Sequence, residues 1–303
     1  MRPGRDWRMA LQRLEGAYAD KTLRGYASDF DIFERWCGAA GFAALPATAA
    51  TVALFVEAQI GTVAPRTVTR RLAAIGRIHQ LAALPDFSRD AEVALALRRG
   101  LRQYGRRPRQ ALGLSAALRD QLIEACPASL KGLRDRAVIA VGYDTLCRRS
   151  ELAALRLEDL QVLAAGGAKV LVRQSKTDPF QDGGFGFISA RGLVLLRAWI
   201  SASGLESGPM FRPVFISSVG KKAIHPRTIN RILQDCAALA GCPASVVSRL
   251  SAHSLRVGPA QDLAISGRTA LQIMRAGRWR HADAISAYIR AADINVWGET
   301  PTV

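Results

Sequence analysis

The chain has 303 residues, 49% of them hydrophobic, which is enough to bury one large core or two medium ones and excludes a disordered tail. Against 25 Asp and Glu stand 42 Lys and Arg, a formal net charge of +17, so the expected partner is a polyanion, either nucleic acid or an anionic membrane surface. No apolar run is long enough to span a bilayer, and the opening MRPGRDWRMALQRLEGAY is basic and broken by charge, unlike a signal peptide; nucleic acid is favoured.

Residues up to about 105 read as helices with short breaks. KTLRGYASDFDIFERWCGAAGF places Leu23, Tyr26, Phe30, Phe33 and Trp36 at steps of three and four and ends on glycine. TAATVALFVEAQI, APRTVTRRLAAIGRIHQLAAL and RDAEVALALRRGLRQYG are the next three helices. The third has Pro65 near its start, and its polar face carries Arg66, Thr69 and Arg70. RRPRQALGLS, Arg106 to Ser115, breaks the pattern with Pro108 and reads as a basic interdomain linker. Arg106 and Arg107 either follow a phosphate backbone or are merely solvated.

Beyond the linker, SAALRDQLIEACP and LKGLRDRAVIAVGYDTL are helical. AKVLVRQSK is β-branched and alternating, and GGFGFISA follows a glycine-rich break; together they predict a small antiparallel sheet or hairpin. Helices return with RGLVLLRAWISASG and PRTINRILQDCAALAG and continue to the end. The class is mainly α with one small sheet. Cys37, Cys126, Cys147, Cys236 and Cys242 are odd in number and scattered, which suits reduced thiols in a cytoplasm, and only Cys236 and Cys242 are close in sequence. With no CxxC and no HExxH, no metal and no other cofactor is expected.

Four stretches carry candidate chemistry. In TLCRRSELAAL, Arg148 lies between apolar runs and needs an anion or a carboxylate partner. Glu151 is either that local partner or a group that orients its surroundings while Arg148 faces a ligand; the register over Arg149 rests on the SEL that follows. Lys176 ends a strand at a turn. In SAHSLRVG, His253 and Arg256 fall at i and i+3 on one helical face, a pairing that suits phosphate oxygens. Pro259 means that this helix bends or begins late. In AGRWRHADAISAYIR, Trp279 and Tyr288 flank an expected helix start at Asp283, and His281 is a weaker rival to Trp279.

Arg148, Lys176, His253, Arg256, Trp279 and Tyr288, in that order and spacing, resemble the tyrosine recombinase (phage integrase-like) family over nearly the whole chain. The resemblance implies a helical core-binding domain over 1–105 that clamps DNA, the basic linker 106–115, and an α+β catalytic domain over 116–303 with a small antiparallel sheet. It makes Tyr288 the nucleophile, Arg148 and Arg256 the clamp on the non-bridging oxygens, and His253 and Trp279 further donors to that phosphate. Lys176 becomes the general acid on the leaving 5′ oxygen and Glu151 a support. A 3′-phosphotyrosyl intermediate stores the bond energy, so neither metal nor ATP is needed, and strands exchange through a Holliday junction.

The implied partners are inverted-repeat double-stranded DNA sites and a homotetramer that exchanges C-terminal segments, with Ile294, Val296 and Trp297 as an apolar plug. The implied setting is a bacterial, plasmid or phage cytoplasm. Arg66, Thr69 and Arg70, and Arg227, Asn230 and Arg231, either read bases or make only phosphate contacts, with Arg227 placed where the enzymes it most resembles put a guanine-reading arginine. Lys221 and Lys222 add DNA contacts. The rivals are a type IB topoisomerase-like or telomere-resolving enzyme and a DNA-binding relative without catalysis.

Overall fold

The computed structural model describes residues 7–85, 87, 90–105, 110–173, 183–216, 218–289 and 292. The chain divides into two compact units, Met1–Arg109 and Gln110–Val303.

The first unit is helical: α1 (Trp7–Gln12), α2 (Asp20–Ala40), α3 (Ala49–Gln59), α4 (Pro65–Leu81) and α5 (Ala91–Tyr104). α2 stops where Gly41 takes a φ of 75° and its N–H bonds the Cys37 carbonyl, a turn that glycine makes without strain. Thr48 and Asp90 cap α3 and α5 through their side chains. Pro65 opens α4 at its first turn, where its missing N–H costs nothing. Phe30, Phe33, Phe55, Ile75 and Ile78 are wholly buried, with Phe33 edge-on to Phe55 at 5.0 Å. His79 belongs to this core. Its Nε2 accepts the Ala47 N–H at 3.0 Å and its Nδ1 lies 2.9 Å from the Ile75 carbonyl oxygen, so both ring nitrogens are in use.

The second unit holds α6 (Ala116–Ala125), α7 (Leu130–Thr145), α8 (Arg149–Ala154), β1 (Leu160–Val162), β2 (Ala168–Val172), β3 (Gly184–Ile188) and α9 (Ala190–Ser203). It continues with β4 (Val214–Phe215), β5 (Ser218–Val219), α10 (Pro226–Leu239), α11 (Ala244–Val247), α12 (Ser254–Ile265), α13 (Ala270–Gly277) and α14 (Ala282–Ile289). α7 is buried on nearly every side from Ala137 to Val141, and α6, α9 and α12 pack against it. A stretch such as residues 137–141, apolar on every side of the helix, needs such a casing. The sheet is antiparallel in the order β1-β2-β3, with Val170 opposite Leu160 on one side and Gly186 on the other.

The mainly α class with a small antiparallel sheet is what the sequence predicts, and the structure adds to it. A third strand, β1, follows α8, and a second hairpin, β4–β5, precedes α10. Both are too short for alternation to mark them. Cys236 lies against Cys126, with sulfurs 3.4 Å apart, and not against Cys242; all five cysteines are free thiols. α12 begins at Ser254 and runs through Pro259. Among the described residues no helix is long and apolar enough to cross a membrane.

Candidate active site

The site gathers where α7 ends. Leu146 leaves that helix in the left-handed region, φ 49°, and the buried Cys147 delivers Arg148 to the start of α8. Arg148 donates its backbone N–H to Glu151 Oε2 at 2.9 Å and its Nη1 to Oε1 at 2.7 Å. The carboxylate thus caps the helix and pairs with the guanidinium at once. Glu151 is only 4% exposed. Burial pulls its pKa up, but the two bonds from Arg148 and the charges of Arg148 and Arg278 outweigh it and hold the carboxyl below its ordinary range. Glu151 is thus the local partner of Arg148 that the sequence allowed.

α12 brings the second arginine. His253 is the cap residue with φ −71° and ψ −24°, already helical, so the i, i+3 relation to Arg256 survives although His253 stands just outside the helix. Arg256 has no solvent exposure. Its Nη1 bonds the Leu146 carbonyl and its Nη2 the Gly277 carbonyl at 3.4 Å. Its guanidinium carbon lies 4.9 Å from the Trp279 ring centre and 5.7 Å from that of Tyr288.

Tyr288 completes the cluster from α14. Its ring stands 5.3 Å from His253 and 4.8 Å from Trp279. Burial, then Arg256, then Arg148, push the His253 pKa below 6.5, so at neutral pH the ring is an uncharged donor. The Tyr288 carbonyl accepts from Gln110 Nε2 at 2.8 Å and from Gln261 Nε2 at 3.3 Å, and the Ala287 carbonyl from Gln110 Nε2 at 3.0 Å. His281, the rival to Trp279, is exposed. Three side chains here escaped the sequence reading. Gln110 and Gln261 look like ordinary polar residues in sequence. Arg278, beside Trp279, donates to Glu151 Oε2 at 3.2 Å; its only signal was a basic residue inside GRW. Three guanidiniums around one carboxylate make a site for an anion, and a phenol lies against it. Among the described residues no group of three His, Cys, Asp or Glu could hold a metal ion.

Lys176 lies outside the described residues, between β2 and β3, as do Arg106 and Arg107 of the linker and Ile294, Val296 and Trp297 of the apolar plug. On α4, Arg66 and Thr69 are exposed. Arg70 is engaged: its Nε and Nη2 grip the buried Asp29 at 2.7 and 2.8 Å. Arg227 and Arg231 are exposed on α10, and Lys221 and Lys222 are exposed in the turn after β5. Asn230 is half-buried, and its Oδ1 accepts the Ala252 N–H at 2.9 Å, tying α10 to the residues just before His253.

The phage integrase family model matches residues 114–294, more than half the chain. An integrase/recombinase xerD homolog of Selenomonas ruminantium is 30% identical over 302 residues, covering 94% of this chain and 86% of its own. Recombinase cre of Escherichia phage P1 is 26% identical over 304 residues, covering 94% and 88%. The fold resembles that of a lambda integrase dimer bound to a COC′ core site, TM-score 0.65 at 16% identity over 95% and 96% of the two chains. A lambda integrase tetramer bound to a Holliday junction gives 0.62 at 14% identity over 92% and 76%. Fold, site and relatives define a tyrosine site-specific recombinase, a DNA breaking and rejoining enzyme. The chain belongs to the phage integrase family.

Proposed function

We propose that Tyr288 attacks the scissile phosphate of a recombination site and forms a 3′-phosphotyrosyl bond while the bond to the 5′ oxygen breaks. Arg148 and Arg256 hold the two non-bridging oxygens, and His253 and the Trp279 indole N–H donate to the same phosphate. Lys176 protonates the leaving 5′ oxygen. Charge grows on the non-bridging oxygens as the tyrosine attacks, and fixed desolvated donors stabilise that charge without reorganising. A 5′ hydroxyl from a second strand then reverses the step at the same phosphorus, so no bond energy is lost.

The observation that carries this reading is the single cluster formed by His253, Arg256, Trp279 and Tyr288, with ring separations of 4.8 and 5.3 Å and a guanidinium over two of the rings. On this reading unit 1 is a core-binding domain, and the protomers exchange strands through a Holliday junction as a tetramer whose C-terminal segments dock into neighbours. The lambda integrase tetramer on such a junction supports that assembly by likeness of fold.

The test is covalent trapping. Nicked duplexes tiled through the DNA flanking the gene are incubated with the protein and run on a denaturing gel. The parent is expected to yield a protein–DNA adduct. Tyr288→Phe yields none and keeps its DNA affinity. An adduct that persists in Tyr288→Phe assigns the nucleophile elsewhere.

A further inference from the structure

We propose that Arg278 is a positioning residue of the cleavage site: by binding Glu151 on Oε2 while Arg148 binds Oε1, it fixes the carboxylate that aims Arg148 at the phosphate. The proposal rests on the recombinase reading of Arg148 and Tyr288.

The backbone gives the first reason. Arg278 closes α13 in the left-handed region, φ 53° and ψ 46°. Glycine is the usual residue at that place in a helix cap, and a side chain there is strained. A strained arginine where glycine would serve points to work done by its side chain.

The side chain gives the second. It is 12% exposed. Nη1 donates to the Thr145 carbonyl at 2.8 Å, and Nη2 reaches Glu151 Oε2 at 3.2 Å and the Cys147 sulfur at 3.4 Å. Arg256 meanwhile bonds the next carbonyl, that of Leu146. Two arginines from separate elements thus cap consecutive carbonyls at the end of α7, just before the chain delivers Arg148. The position of Arg148 depends on both.

The third reason is the space made for it. Gly184 and Gly186 point the same way from β3, as alternate residues of a strand do. A methyl group on Gly184 would stand 3.0 Å from Arg278 Cδ, and one on Gly186 would stand 3.0 Å from Thr145 Cβ and 3.4 Å from Arg278 Nη1. The glycines of GGFGF leave a trough in which the guanidinium lies.

Glu151 is faced by Arg148 at its own helix start, Arg278 from the α13–α14 connection, Arg256 from α12 and Cys147 from the end of α7. Removing Arg278 leaves a buried carboxylate with one guanidinium partner fewer, so it protonates more readily and releases Arg148 more readily.

The experiment measures single-turnover formation of the Tyr288 adduct on a nicked duplex that the parent cleaves, from about pH 5 to about pH 8, a range that spans the carboxylate and imidazole transitions. Arg278→Gly fits the left-handed backbone and should fold with near-parent DNA affinity. Its adduct rate is expected to fall roughly tenfold at neutral pH, the size of a lost charge-assisted hydrogen bond, and further in acid, its acid limb moved to higher pH. Arg278→Lys, which keeps the charge, recovers part of the rate.

Parent rate and parent acid limb in Arg278→Gly overturn the proposal. So does an equal loss at every pH with Arg278→Lys no better than Arg278→Gly, which makes Arg278 a packing strut. Weaker DNA binding with an unchanged rate once bound also overturns it and makes Arg278 a DNA contact. If no tiled duplex yields an adduct with the parent, the proposed roles of Arg148 and Tyr288 fail, and this proposal falls with them.

Discussion

Arg256 has no solvent exposure, and a guanidinium taken out of water needs compensation. Two backbone carbonyls and two aromatic faces supply part of it, while its buried Nε finds no partner among the described residues. Burial pulls its pKa down, and the Tyr288 phenol and Glu151 push back. The result is a desolvated cation held against the Tyr288 phenol, the state in which a guanidinium stabilises an arriving oxyanion most strongly. His253 is shifted in the same direction. Burial and two nearby arginines disfavour the imidazolium, so its folded midpoint lies below 6.5. The sign follows: its contribution to stability is intact above 6.5 and is eroded as the pH falls toward the folded midpoint, because the unfolded chain takes up the proton first. An NMR titration of the His253 ring in DNA-free protein should therefore show a midpoint below 6.5. A midpoint at or above that value means that the arginines do not face the ring.

At the scale of elements, α14 is too short to persist by itself, and its place depends on what grips it. Ile285 is buried beneath it, and the amides of Gln110 and Gln261 take the carbonyls of its last turn, groups that no intrahelical partner can satisfy. Gln110→Leu removes the donor that serves two of those carbonyls. The expected loss is about 1 kcal/mol of local stability. It is read as roughly fivefold faster amide hydrogen exchange over residues 282–289, with α7 unchanged. Unchanged exchange in α14 would mean that the Gln110 amide does not hold the helix.

Such a latch is invisible in sequence, because Gln110 meets Tyr288 only through the fold. The same holds for Arg278, whose partner Glu151 is far away in the chain. Legible residues belonged to local patterns: the apolar spacing of α2, the proline opening α4 and the alternation in β2. The His253-x-x-Arg256 pair was legible too, although its helix starts one residue later and carries Pro259 in its interior. Arg70 and Asn230 were nominated for DNA contact from their helices alone. Their bonds to Asp29 and to the Ala252 N–H are contacts that no periodicity reports, and Arg70 makes its own while 64% exposed.

For the molecule as a whole the governing quantity is the net charge of +17. A basic surface binds DNA largely by releasing condensed counterions, so affinity should fall steeply with salt whatever the sequence. Sequence choice needs a smaller set of side chains at base edges. The proposed function puts the exposed Lys222, in the turn after β5, and Arg227, at the start of α10, on opposite sides of that division. Lys222→Ala should weaken binding to a cleaved fragment and to an unrelated duplex alike. It should also lower the slope of log affinity against log salt by about 1, the release from one phosphate contact. Arg227→Ala should cost about 1–3 kcal/mol on the cleaved fragment only and leave the unrelated duplex unaffected. Fluorescence anisotropy between about 50 and about 200 mM salt measures both, since counterion release is large over that range. Equal weakening of both duplexes by Arg227→Ala makes that arginine a phosphate contact and moves the reading of bases to other residues of α10 or to the exposed Arg66 and Thr69 on α4.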